Sequence, residues 1–211
     1  MIFINDLVKC LQNNKINFFT GVPDSCQKLF TSFLEKNKKN KHIIAVNEGG
    51  AVSIGIGHYL STKKIPLVYM QNSGLGNAIN PLISIAHKKV YSIPLLLFIG
   101  WRGSKNKQDE PQHMAKGKIT PKILKLLDIK FCVIKKKEDL KQLSKLINKS
   151  KKTKKPVACL IEKNILVTNN NYFLKSANKY SISRKVFITK LLENITTNSR
   201  IIVLNRYIID Y

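Results

Sequence analysis

The stretch IPLVYMQNSGLGNAINP, Ile65 to Pro81, joins an unbroken apolar run to a polar turn carrying Gly74 and Gly76, then to a helix-like run. A strand that alternates apolar and polar residues has one wet face, whereas one that is apolar throughout is covered on both. The same grammar recurs along the chain. IPLLLFIGW (Ile93–Trp101) is a second continuously apolar run, and helical patterns separate it from its neighbours. Parallel strands covered by helices on both faces are the simplest arrangement that satisfies this pattern. The sequence therefore predicts an α/β fold, a doubly wound parallel sheet with helices on both faces, over residues 1–165.

The expected helices are Asn5–Asn14, Asp24–Asn37, Glu48–Thr62, Leu75–His87, a helix beginning near Thr120, and Lys137–Lys149. The expected strands are Ile16–Val22, His42–Asn47, Ile65–Gln71, Ile93–Trp101, Lys130–Lys135 and Pro156–Lys163, with a polar loop from Arg102 to about Lys118. Residues 166–180 read as a linker. Within 181–211, ISRKVFITKLLENIT (182–196) reads as an amphipathic helix and RIIVLN (200–205) as a strand, the opening elements of an incomplete second α/β domain.

Composition narrows the function classes. The chain has 211 residues, 44% of them hydrophobic, and a formal net charge of +25. The lysines are spread throughout. Their densest clusters, KNKKNKH (36–42) and NKSKKTKK (148–155), lack the interleaved aromatics on which single-stranded nucleic acid stacks, so no nucleic-acid partner is expected. Cys10, Cys26, Cys132 and Cys159 form no C-x-x-C pair, and the four histidines are equally scattered, so no metal site is expected on this chain. The N-terminal MIFINDLVKCLQNN has no signal-peptide pattern, and no apolar run reaches the roughly 18–20 residues of a membrane span. A cytoplasmic protein without a membrane partner is expected.

In open α/β sheets the ligand lies beyond the carboxyl ends of the strands. The ends to inspect are TGVPDS, VNEGG, MQNSGLGN and GWRG. GLGNAI carries the first two glycines of a dinucleotide fingerprint but Ile79 in place of the third, and no acidic residue follows at the required distance. No Gly-Lys-Ser/Thr makes a phosphate loop. Glu48 stands between an apolar strand and a helix of tiny residues. Two roles are open to it, an ordinary helix-terminal carboxylate or, if buried, a proton-exchanging one. The segment GWRGSKNKQDEPQHM (100–114) gathers Arg102, which can clamp an anion bidentately, with Asp109, Glu110 and His113 as acid–base candidates.

Taken in order, FFTGVPDS, NEGGAVSIGIGHYL, KIPLVYMQNSGLGNAINPL, YSIPLLLFIGWRG and DEPQH, followed by KGKITPKILKLLDI, resemble the amino-terminal half of the phosphonopyruvate decarboxylase family of thiamine-diphosphate enzymes. The alpha subunit of sulfopyruvate decarboxylase is a close relative. The resemblance implies the pyrimidine-binding domain of the thiamine-diphosphate fold. It implies that Glu48 hydrogen-bonds the aminopyrimidine ring and promotes its activating tautomer. Gln71, Asn72, Ser73, Gly74, Leu75 and Asn77 would flank the cofactor ring, with Asp24, Arg102 and His113 on the substrate side. Asp24 or His113 would return the proton that completes decarboxylation of 3-phosphonopyruvate to phosphonoacetaldehyde.

The same resemblance implies Mg2+ held by a Gly-Asp-Gly segment in a second domain. This sequence contains no Gly-Asp pair. The Mg2+ ligands are therefore expected on the missing second domain or on a partner chain. Three readings follow: a chain whose site is completed by a homo-oligomer or by a separate diphosphate-binding subunit, as in sulfopyruvate decarboxylase; an inactive truncated homologue; or a non-enzymatic module in which the fold survives and the basic surface does the binding. A dedicated alpha-type subunit would not carry the elements after residue 181.

Overall fold

The computed structural model describes residues 1–37, 41–104, 108–169 and 182–195. In chain order the elements are β1 (Ile2–Phe3), α1 (Ile4–Asn13), β2 (Phe18–Gly21), α2 (Lys28–Lys36), β3 (Lys41–Ile44), α3 (Glu48–Thr62), β4 (Leu67–Gln71) and α4 (Leu75–Pro81). They continue with β5 (Leu96–Gly100), α5 (Pro111–Leu126), β6 (Lys130–Ile134), α6 (Leu140–Thr153), β7 (Val157–Ile161), β8 (Leu166–Val167) and α7 (Arg184–Glu193).

Six strands form one parallel sheet in the order β3-β2-β4-β5-β7-β6. The central strands are apolar throughout because both of their faces are covered. Leu67 and Tyr69 of β4, with Leu96 and Phe98 of β5, face α1, α2 and α6. Val68, Met70, Leu97 and Ile99 face α3, α4 and α5. The doubly wound sheet read from the sequence is the one observed. Phe98 is fully buried against Phe30, with ring centroids 5.1 Å apart. The chain steps outward from β2 to β3 through α2 on one face and returns to β4 through α3 on the other. That change of direction opens a switch point between the carboxyl ends of β2 and β4, where open sheets form their crevice.

Several boundaries differ from the sequence expectation, among them the start of α2 at Lys28 rather than Asp24 and the end of β3 at Ile44 rather than Asn47; at two others proline explains the difference. The helix expected over Leu75–His87 runs as α4 only to Pro81 and continues as a wider π-helical turn over Leu82–Ala86. Pro81 has no N–H to return to the carbonyl of Asn77, so the α-helical ladder loosens there. In the other direction, α5 begins at Pro111 rather than near Thr120, so Gln112 and His113 lie on a helix and not in a loop. Pro111 occupies the first helical position, where its missing N–H costs nothing. Pro121 then sits inside the helix. The Gly117 carbonyl that it leaves without a helical donor accepts instead from Trp101 Nε1 at 3.0 Å.

Leu166 and Val167 pair in parallel with Ile2 and Phe3, a small ladder that the sequence did not announce. The chain divides into two compact units, 1–175 and 176–211. In the second, α7 is capped by Ser183, whose hydroxyl accepts from Val186 N at 3.3 Å. The strand expected at 200–205 and most of the expected linker lie outside the described residues.

Candidate active site

The carboxyl ends of β2, β4 and β5 and the start of α3 carry the expected polar residues. Asn47 caps α3, its side-chain oxygen accepting from Gly50 N at 2.8 Å. This places Glu48 in the first helical turn, where the helix dipole favours a carboxylate. Glu48 is only 7% exposed. Its Oε2 accepts from Asn77 Nδ2 at 2.9 Å. Its Oε1 lies over the backbone of Gly74, where a Cβ would stand 2.1 Å away. The glycine turn after β4 is thus the seat of the Glu48 carboxylate. Leu75, directly after it, is buried in the core.

Across the switch point, Asp24 follows β2. Its Oδ1 accepts from Cys26 N at 2.8 Å and from Gln71 Nε2 at 3.1 Å, so one side-chain bond spans the crevice between β2 and β4. Ser73 steadies Gln71 by donating to its Oε1 at 2.7 Å. Asp24 Oδ2 is buried without a partner, against Gly100 at the end of β5. Burial pushes the Asp24 carboxyl above its usual range, in spite of the bonds to Cys26 and Gln71 and the nearby Arg102 charge that oppose the rise. The neighbouring Cys26 thiol is pushed up to about 12, by burial first and then by the Asp24 charge, so it is no thiolate nucleophile.

The substrate-side residues are arranged differently from the expectation. Arg102 Nε donates to Asp109 Oδ2 at 2.8 Å, and Arg102 Nη2 donates to Asp109 Oδ1. The bidentate edge of the guanidinium is therefore already taken by this chain's own carboxylate. Asp109 is correspondingly no acid–base group, since the Arg102 bonds hold its carboxyl well below the usual carboxylate range. Asn72, expected beside the cofactor, turns into the scaffold. Its Nδ2 donates to Arg102 O at 2.9 Å and Thr120 Oγ1 at 3.1 Å, and its Oδ1 accepts from Arg102 N at 3.2 Å.

His113 stands in the first turn of α5 with its Nε2 3.4 Å from Glu110 Oε2, while its Nδ1 is buried without a partner. Burial and then the Arg102 charge hold its pKa below the usual imidazole value. The structure thus makes two groups at this end of the sheet from the expected residues, Glu48 with Gly74 and Asn77, and Asp24 with Gln71 and Ser73. Arg102, Asp109 and His113 make a third. Sequence reasoning missed the partnership of Arg102 with Asp109. Both charges stand in the sequence, but nothing local in DEPQH names Arg102 as the partner of Asp109.

The arrangement suits a flat, nitrogen-bearing ring. A nearly dry carboxylate seated over bare backbone can share a proton with a ring nitrogen, and an orphaned Asp24 oxygen can donate one to a reacting atom. Among the described residues no group of three or more His, Cys, Asp or Glu side chains is placed to hold a metal ion, and no helix is long and apolar enough to cross a membrane.

The chain is 33% identical over 134 residues to phosphonopyruvate decarboxylase from Streptomyces viridochromogenes, covering 64% of this chain and 33% of that protein. It is 34% identical over 123 residues to the alpha subunit of sulfopyruvate decarboxylase from Methanococcus maripaludis, covering 58% and 71%. The chain thus spans a third of the first relative. Among solved structures it superposes on the thiamine diphosphate-dependent 4-hydroxybenzoylformate decarboxylase of Rhodococcus jostii with TM-score 0.56 at 16% identity, covering 90% of this chain and 36% of that one. The benzoylformate decarboxylase of Polynucleobacter necessarius gives 0.58 at 16%, covering 86% and 32%. At such identities the structural matches show the shared fold. Residues 2–124 match the family described as thiamine pyrophosphate enzyme, N-terminal TPP binding domain, and the chain belongs to that family.

Proposed function

We propose that this chain supplies the pyrimidine half of a thiamine-diphosphate site that decarboxylates a three-carbon 2-keto acid with an anionic tail, 3-phosphonopyruvate in the first instance. The observation that carries this reading is the buried Glu48 carboxylate, seated over Gly74 at the end of the sheet and tethered by Asn77. Thiamine diphosphate, when bound, supplies the sink for the electron pair left as CO2 departs. Glu48 holds and exchanges a proton at the ring edge. The bare backbone at Gly74 forms the close wall beneath the Glu48 carboxylate, while Gln71 and Ser73 hold Asp24 at the crevice. The overall change takes up one proton as phosphonoacetaldehyde and CO2 form. Asp24 Oδ2 and His113 Nδ1, both buried and unpartnered, are this chain's two candidates to deliver it. Among the described residues the bonds to Asp109 use Arg102 Nε and Nη2, and Nη1 would meet the anionic tail.

Mg2+ and the diphosphate would be held by a complementary domain, from a second copy or a separate subunit. The chain covers 71% of the sulfopyruvate decarboxylase alpha subunit against 33% of phosphonopyruvate decarboxylase, which favours a separate diphosphate-binding chain as the second reading. Four free cysteines fit the reducing cytoplasm as its place of action. The test is CO2 release from 3-phosphonopyruvate and from 3-sulfopyruvate, with thiamine diphosphate and Mg2+, by this chain alone and with the product of the next reading frame downstream. Release from the phosphonate above that from the sulfonate supports the first reading. The reverse order, seen only with the second chain, supports the other. Release from neither substrate in any combination overturns both.

A further inference from the structure

Arg102 is pinned at both its ends. Its backbone N–H and C=O are both bonded by the Asn72 side chain, at 3.2 and 2.9 Å. Its guanidinium is clasped by Asp109, whose two oxygens also accept from Gly103 N at 3.1 Å and Glu110 N at 3.0 Å. Four N–H donors on one carboxylate fill its acceptor sites. The clasp reaches His113 through the backbone. Gly103, at φ +68°, packs against the His113 carbonyl so closely that a Cβ there would lie 1.8 Å from the oxygen. No side chain fits in that contact, and the positive φ favours glycine as well. Both clasp side chains are largely buried, at 19% and 16% exposure, so their field is weakly screened.

We propose that Asp109 is a positioning residue for the substrate side of the site: it fixes the Arg102 guanidinium within electrostatic reach of Asp24 and His113 and balances the charge that His113 experiences. The inference rests on the reading of these strand ends as the substrate side, but its test needs neither cofactor nor turnover. The charged groups facing His113 are Arg102 and Asp109 from the segment after β5, Glu110 before the helix, and Lys116 one turn along it. Asp109 and Glu110 favour the imidazolium, while Arg102 and Lys116 oppose it. Removing either half of the clasp must therefore move the histidine in opposite directions. General loosening of the structure would move it one way only, towards the ordinary value.

The experiment is an NMR titration of the His113 imidazole in the full chain, its resonance assigned with His113→Gln. The variants are Asp109→Asn, Arg102→Gln and the double variant. The expected result is a downward shift of the His113 midpoint in Asp109→Asn, an upward shift in Arg102→Gln, and a double variant below Arg102→Gln. Should Asp109→Asn fail to fold, the last comparison alone decides. Movement of both single variants towards the ordinary imidazole value, or a double variant level with Arg102→Gln, overturns the proposal and leaves the pair a purely structural lock.

Discussion

At the scale of single residues, two aspartates that both feel the charge of Arg102 are pushed opposite ways. Asp109 is held ionised by the Arg102 bonds, whereas burial dominates at Asp24. The consequence for stability has opposite signs. With a folded value above 3.8, native Asp24 keeps a proton that the unfolded chain has lost. Its contribution to stability therefore falls as pH rises from about 4 through the folded value. Asp109, depressed, contributes stability that is present above the same 3.8 and lost as pH falls towards its folded value. Asp24→Asn removes the first effect alone. Denaturant unfolding is expected to show the variant gaining on the parent as pH rises from about 4 to neutrality. A constant difference across that range would show that Asp24 is not raised. Gly74→Ala belongs to the same scale, since its methyl would enter the space of the Glu48 carboxylate. Displacement by about 1 Å costs on the order of a hundredfold in rate. A reconstituted assembly carrying Gly74→Ala is expected to lose that much turnover, and unchanged turnover would show that Glu48 does not act from its seat over Gly74.

At the scale of elements, α5 is where the sequence misled and where the reason is most instructive. A proline inside a helical pattern normally ends the helix, so a start near Thr120 was the natural expectation. The indole of Trp101 reverses that judgement by bonding the carbonyl that Pro121 abandons. Such a bond joins residues from different elements, and no local pattern reveals it. The thermodynamic prediction is a coupling. Trp101→Phe leaves the Gly117 carbonyl unsatisfied and is expected to cost about 1–3 kcal/mol in denaturant unfolding. In a Pro121→Ala background the restored N–H can serve that carbonyl, and the cost is expected to shrink. Equal costs in both backgrounds would dissolve the explanation. By contrast α3 was legible to the residue and β4 and β5 to within three residues, because a helix of small residues and continuous apolar runs are local signals. The β1–β8 ladder was not, since two-residue strands are too short to carry a period. The Arg102–Asp109 clasp was hidden for a different reason: side-chain charge shows in sequence, but the identity of its partner does not.

At the scale of the whole molecule, the parallel sheet brings four separate strand ends to one side, and only there do Asp24, Glu48, Gln71 and Arg102 become neighbours of a common crevice. Fold and site location were therefore readable together from the run-turn-helix grammar, whereas the assembly was not. A complementary diphosphate-binding domain is the central element of the proposed function, and Glu48 is the residue through which this chain would take part. The most direct measurement is CO2 release from 3-phosphonopyruvate and 3-sulfopyruvate by this chain combined with its complementary chain, thiamine diphosphate and Mg2+, comparing the parent with Glu48→Gln. Release by the parent on at least one substrate is expected, with a rate lower by about a hundredfold or more in Glu48→Gln. Equal rates from parent and variant would contradict the role of Glu48.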